Sequence, residues 1–160
     1  MHIRKRHLLL ALPLAAAGLG IAAVPALAAH AAQARPATVS HAARPTQAIT
    51  ILVKSDSEHA KKGPDGKWHD AFLPADFAVK AGQKTTVTIL NYDNGPHSLV
   101  SPSLNLNVQI PAAKGAKPGR VSFRFTASKA GRYDWWCGSP CDPWAMTHDG
   151  YMRGFITATQ

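Results

Sequence analysis

Tyr133–Gly154, YDWWCGSPCDPWAMTHDGYMRG, packs two cysteines, one histidine and two methionines into one short segment, at Cys137, Cys141, Met146, His148 and Met152. Aromatic side chains lie on both sides of the cysteines. Thiolate and thioether sulfur beside an imidazole form a soft donor set, which suits copper better than hard cations that prefer oxygen. A site of this kind needs one more histidine, supplied by another part of the chain.

Working outward, the neighbouring segments read as short strands. Arg132–Trp136 (RYDWW) precedes the cysteines and Tyr151–Thr159 (YMRGFITAT) follows them as the last strand. Upstream, Val121–Thr126 (VSFRFT) is set off by the turn Lys129-Ala130-Gly131, and Leu104–Ile110 (LNLNVQI) alternates apolar and polar residues. Asn91-Tyr92-Asp93-Asn94-Gly95-Pro96 is dense in turn formers. His97-Ser98-Leu99-Val100 then starts a strand, which places His97 on a rim. Thr85–Leu90 (TTVTIL) alternates cleanly, as a strand with one buried face does. Phe72–Lys80 (FLPADFAVK) is interrupted by Pro74 and suits an edge or bulged strand. Ile49–Val53 (ITILV) is a compact β-branched run and opens the series. Between them SDSEHAKKGPDGK, with Pro64-Asp65-Gly66, reads as an exposed loop or hairpin, and His59 and His69 as ordinary surface histidines. Many short strands, Gly/Pro turns and no helical periodicity indicate an all-β antiparallel sandwich or barrel.

The chain has 160 residues, 46% of them apolar, with 12 glycines and 12 prolines. That is enough for one domain with a core and too little for two of ordinary size. Arg4, Lys5 and Arg6, the apolar run Leu8–Val24 and the small residues of Ala26-Leu27-Ala28 have the form of a cleaved signal peptide over residues 1–28. The rival reading is an uncleaved anchor over residues 8–24. Residues 29–47, rich in Ala, Pro, Thr, Gln, His and Arg, read as a disordered spacer, leaving 48–160 as the domain. Export to the periplasm or the outside is the expectation, so two cysteines imply one disulfide or one metal centre. The formal charge is +9, but the Lys and Arg residues are scattered and no nucleic-acid motif is present. A solvated, positively biased surface is the simpler reading, with no nucleic acid as partner.

At the level of motifs the chain resembles the cupredoxin domain that carries the dinuclear CuA centre in cytochrome c oxidase subunit II and in the C-terminal domain of nitrous oxide reductase. The resemblance rests on His97-Ser98 followed by Pro102-Ser103-Leu104, on Asn105-Leu106-Asn107-Val108 before Pro111, on Phe123–Tyr133, and on Trp136-Cys137-x3-Cys141, and covers roughly Phe72–Ala158. It implies a Greek-key β-sandwich or barrel of about seven to eight strands. It implies further that Cys137 and Cys141 bridge two copper ions, that His97 and His148 each terminate one, that Met152 is a weak ligand, and that the backbone carbonyl of Ser139 completes the second ion.

The sequence departs from that pattern in its ligand loop. Six residues separate Cys141 from His148 and three separate His148 from Met152, both gaps longer than is usual in the family. Asn94 and Ser139 stand where subunit II usually carries an aspartate and a glutamate. Two other readings therefore stay open. One is a mononuclear copper site built from one cysteine, His97, His148 and Met152; the other is a Cys137–Cys141 disulfide in a sandwich domain without redox copper. Met146 is a rival to Met152 as thioether ligand, Asp142 and Asp149 read as turn residues, and Trp135, Trp136 and Trp144 as core.

The functional expectation is an exported cupredoxin that shuttles single electrons, accepting from a c-type cytochrome or similar donor and passing them to a membrane or periplasmic oxidoreductase. The alternative class is copper handling, with delivery to an oxidase or reductase. An enzyme is not expected: no serine nucleophile motif, phosphate loop or paired carboxylates with an obvious role occur.

Overall fold

In the computed structural model, residues 46–160 are described. The leader expected over residues 1–28, the spacer up to Pro45, and with them His30 and His41, fall outside that range. Among the described residues no helix is long and apolar enough to cross a membrane.

Among the described residues eleven strands form, β1 Gln47–Lys54, β2 Lys61–Lys62, β3 Trp68–His69, β4 Ala71–Leu73, β5 Phe77–Lys80, β6 Thr85–Asn91, β7 His97–Ser101, β8 Leu106–Ile110, β9 Gly119–Phe125, β10 Gly131–Trp136 and β11 Arg153–Thr159. They make a four-stranded sheet in the order β4-β1-β6-β9 and a five-stranded sheet in the order β5-β11-β10-β7-β8. The short β2–β3 hairpin stands apart from both. The count exceeds the seven to eight expected because the hairpin adds two-residue strands and because Pro74 splits FLPADFAVK. Its two halves, β4 and β5, pair in different sheets, with β1 and β11 respectively.

The sandwich is not purely antiparallel. β1 runs parallel to β6, and β5 parallel to β11, while the remaining ladders are antiparallel. Period-2 patterning fixes which face is buried but not the direction of the partner strand, so the sequence pattern was compatible with either.

The core lies between the sheets. Ile51, Val53, Val87 and Ile89 project into it from the first sheet, and Leu99, Trp135 and Ile156 from the second, each almost wholly shielded from solvent. The alternation read in TTVTIL is realised in β6, where Thr85, Val87, Ile89 and Asn91 are buried and the residues between them are not. Trp135 donates its indole N–H to the Ala75 carbonyl oxygen at 2.9 Å and meets Phe72 edge-on at 4.7 Å. Trp136, the next residue, faces outward and is 40% exposed, so it is not the core residue expected. Two glycines have structural necessity. Gly82, at φ +72°, closes the turn between β5 and β6, and a Cβ on Gly119 would sit 1.9 Å from the Pro111 carbonyl oxygen.

Neighbouring strands β7, β10 and β11 bring the conspicuous segment together. Trp136, the last residue of β10, pairs with Val100 of β7 on one side and Arg153 of β11 on the other. The chain leaving β10 therefore passes the start of β7, where His97 lies, and the residue before β11, which is Met152. LNLNVQI begins as a 3-10 turn at Pro102–Leu104, and Asn105 takes a left-handed conformation at φ 54°, so β8 starts only at Leu106.

Candidate metal centre

His97 opens β7 but is 2% exposed, more buried than a rim position implies. The turn before it is built on Asn91, whose side chain donates to the carbonyl oxygens of Gly95 and Pro111 and accepts from the Asp93 N–H. That places Asp93 Oδ2 2.9 Å from His97 Nε2, which donates to it. The carboxylate thus fixes the tautomer and leaves Nδ1 with its lone pair directed elsewhere.

That lone pair faces sulfur. His97 Nδ1 lies 3.1 Å from Cys141 Sγ and 3.8 Å from Cys137 Sγ. Both cysteines are free, with their sulfurs 2.6 Å apart. The Ser139 carbonyl oxygen is 3.1 Å from Cys141 Sγ and 3.7 Å from Cys137 Sγ. Two bonds hold the loop in place: the Gly138 N–H donates to Ser98 Oγ, and the Cys137 N–H to the Met152 carbonyl oxygen, both at 2.8 Å. A side chain at position 138 would meet Val100 at 3.0 Å, so the close approach of this loop to β7 depends on a glycine.

Among the described residues, His97, Cys137 and Cys141 have ligand atoms all within 4.8 Å of one another. The two sulfurs lie within hydrogen-bond distance of each other. The Cys141 thiol hydrogen-bonds the Cys137 sulfur and holds its pKa far below the ordinary thiol value, against the effect of burial, with His97 and the Ser98 and Ser139 backbone adding to the shift. The same hydrogen bond, then burial, pushes the Cys141 thiol up. Burial opposes charge on His97, but the Cys137 sulfur and Asp93 outweigh it and raise its pKa. Two thiol sulfurs, one imidazole nitrogen and a carbonyl oxygen are a donor set that fits copper.

The other predicted ligands lie differently. Met152 is wholly buried, next to Cys137 through the backbone bond just given, whereas its rival Met146 is only partly buried. His148 lies outside the group of three. Its Nδ1–H donates to the Trp144 carbonyl oxygen at 2.7 Å and lies 3.1 Å from Thr147 Oγ1, so Nε2 is its nitrogen without a hydrogen bond.

The six residues between Cys141 and His148 form an ordered turn ending in a 3-10 segment, Ala145–Thr147. Asp142 Oδ1 accepts from the N–H groups of Trp144 and Ala145, the turn role expected of it. Asp149, also expected as a turn residue, pairs with Arg153 at 2.7 Å. Trp144 is half-buried and stacked between two imidazoles, with His69 at 3.9 Å and His148 at 3.6 Å between ring centres.

His69 departs most from the sequence reading. Expected at the surface, it is 5% exposed and gives both ring nitrogens to carboxylates, Nδ1 to Asp142 at 2.7 Å and Nε2 to Asp65 at 3.1 Å. Only the imidazolium can donate from both nitrogens. Burial works against that charge, but the Asp142 and Asp65 carboxylates outweigh it and raise the His69 pKa. His59, by contrast, is exposed as expected. The Asp142 partner of His69 carries no local signal, lying 73 residues away in sequence, whereas Asp65 stands four residues before His69 in the Pro64-Asp65-Gly66 turn. Asp93 was more legible, four residues before His97 in the turn already identified.

A profile of the cupredoxin-like domain matches residues 19–158. The chain belongs to the cupredoxin-like domain family. Among solved structures this cupredoxin is similar to the copper nitrite reductase from Nitrosomonas europaea, with 20% identity over 71% of this chain and 41% of that one, at a TM-score of 0.50. It is similar to the multicopper oxidase mgLAC, with 13% identity over 71% of this chain and 39% of that one, also at 0.50. Auracyanin from Roseiflexus castenholzii aligns at 20% identity over 71% and 98% of the two chains, with a TM-score of 0.46. The cupredoxin thus spans about two fifths of each of the two enzymes, and likeness at these identities speaks to fold. A search of curated protein sequences finds no match.

Proposed function

We propose that this cupredoxin is an exported copper protein that carries single electrons through a centre held by Cys137, Cys141 and His97. The observation that carries the reading is the convergence of two cysteine sulfurs and the Nδ1 lone pair of His97 within 4.8 Å. The Ser139 carbonyl beside them supports the CuA-like form, in which Cys137, Cys141, His97, His148 and, weakly, Met152 would hold the copper. Copper, when bound, supplies a one-electron couple that needs little ligand rearrangement. The chain's residues do the rest: Asp93 orients His97, the Ser98–Gly138 bond holds the cysteine loop against β7, and burial of Cys137 and Met152 excludes water. The donor in this reading is a c-type cytochrome or similar exported carrier, and the acceptor a membrane or periplasmic oxidoreductase.

A second reading, copper handling, is favoured by one observation: His148 stands outside the group formed by His97 and the two cysteines. Two thiolates and one imidazole form a soft three-ligand set that suits Cu(I). Cyclic voltammetry of the copper-loaded protein separates the two readings. Electron transfer predicts a reversible couple and copper retained against a competing apo-protein; handling predicts ready copper loss and no reversible couple. Thiol titration of the metal-free, unreduced protein tests both, because a Cys137–Cys141 disulfide leaves no titratable thiol and removes the donor set.

A further inference from the structure

The segment between Cys141 and His148 is closed by its own turn bonds, Asp142 Oδ1 accepting from the Trp144 and Ala145 N–H groups and the Asp142 carbonyl from the Met146 N–H, but it sends little into the core. Ala145 is its only buried residue, and Pro143 and Thr147 are exposed. A six-residue connection between two ligands must nonetheless be ordered, at an entropic cost for each residue fixed. Beyond those turn bonds and the Met152 N–H on the Ala145 carbonyl, side-chain contacts that hold it come from the β2–β3 hairpin, which contains none of the ligands.

His69, at the end of β3, makes two of them and is itself held by a third bond within the hairpin. Its Nδ1–H donates to Asp142, the residue after Cys141, and the other oxygen of that carboxylate caps the turn at Trp144 and Ala145. Its ring lies on one face of Trp144, at 17° between planes, while His148 covers the opposite face at 8°. Its Nε2–H is held by Asp65, whose carboxylate also accepts from the Lys67 N–H within the hairpin. The hairpin backbone closes beneath both rings, since a Cβ on Gly63 would lie 2.9 Å from His69 and 3.0 Å from Trp144. Tyr151 adds an edge contact to Trp144 at 5.0 Å and bonds the Lys62 carbonyl oxygen, so both ends of the loop are tied to the same hairpin.

We infer that His69 is a positioning residue for the ligands of this centre: by gripping Asp142 and stacking through Trp144 onto His148, it sets where Cys141 and His148 stand relative to His97. The inference rests on the copper reading above. Its side-chain bonds run to the hairpin and the ligand loop, and none joins the two large sheets, so its loss acts on the loop ahead of the sandwich. The bonds and the stack are separable. Phenylalanine at position 69 keeps a ring against Trp144 and removes both hydrogen bonds, whereas glutamine keeps a donor and removes the stack.

The test compares the wild type with His69→Phe, His69→Gln, Asp65→Asn and, as a control on the same stretch of chain, His59→Ala. Copper affinity by chelator competition and the paramagnetic resonance spectrum are recorded beside thermal unfolding of the metal-free protein. The expected result is cooperative unfolding in every variant, affinity about 10- to 100-fold lower in both His69 variants, an altered copper hyperfine pattern in both, a smaller change of the same kind in Asp65→Asn and none in His59→Ala. Wild-type affinity and spectrum in the His69 variants overturn the inference. If those variants fail to fold while Asp65→Asn keeps the wild-type spectrum, His69 serves stability alone and the inference also falls. A wild type that takes up no copper removes the copper reading itself, and this inference with it.

Discussion

Asp93 decides which nitrogen of His97 faces the two sulfurs, because its carboxylate accepts from Nε2. Asp93→Ala frees the ring and leaves the tautomer unfixed; copper affinity measured by chelator competition is expected to fall about 10- to 100-fold. Cys137→Ser and Cys141→Ser each remove a soft sulfur donor, and each is expected to abolish intense visible absorption on copper loading. A third residue-scale prediction concerns pH. The folded-state pKa of His69 is raised, so its stabilisation is complete below the unfolded value of about 6.5 and is lost as pH rises through the higher folded value. The melting temperature of the metal-free protein is therefore expected to decline above about pH 6.5, and His69→Phe to flatten that decline; an equal decline in the variant contradicts the assignment. The grouping of His97 with Cys137 and Cys141 was readable because residue type carries the soft-donor chemistry and the turn before His97 marks its place. His69 was not, since its burial and its Asp142 partner come from how the hairpin meets a loop far along the chain.

Strand patterning was legible wherever one face meets the core and the other solvent. TTVTIL and ITILV contribute Val87, Ile89, Ile51 and Val53 to the interior as their alternation implies. Directions and sheet assignments were less legible: FLPADFAVK reads as one interrupted strand, yet its halves serve opposite sheets, a choice made by tertiary pairing on either side of Pro74. Ile156 in β11 is wholly buried in the core, so Ile156→Ala is expected to cost about 2–5 kcal/mol by chemical denaturation. Gly119→Ala acts by overlap: the new Cβ meets the Pro111 carbonyl oxygen, a backbone atom that cannot turn aside. A loss near the top of the roughly 0.5–3 kcal/mol range for single substitutions is expected, and unchanged stability would show that the β8–β9 connection yields more easily than this packing implies.

The described residues form a cupredoxin-like sandwich in which His97, Cys137 and Cys141 meet where β7, β10 and β11 adjoin, with the β2–β3 hairpin packed on the loop after Cys141. The fold class was legible from turn chemistry and short strands, and the location of the centre from one histidine and one cysteine pair. What the loop between Cys141 and His148 packs against was beyond the sequence, although its unusual length marked it as the place to look. The central claim is that Cys137, Cys141 and His97 hold redox copper. The most direct measurement is the electron paramagnetic resonance spectrum of the oxidised, copper-loaded protein. The account predicts a copper signal with strong thiolate character, split into seven lines when two ions share the electron and into four when one ion is bound. A colourless, signal-free protein that has no titratable thiols before reduction would contradict it.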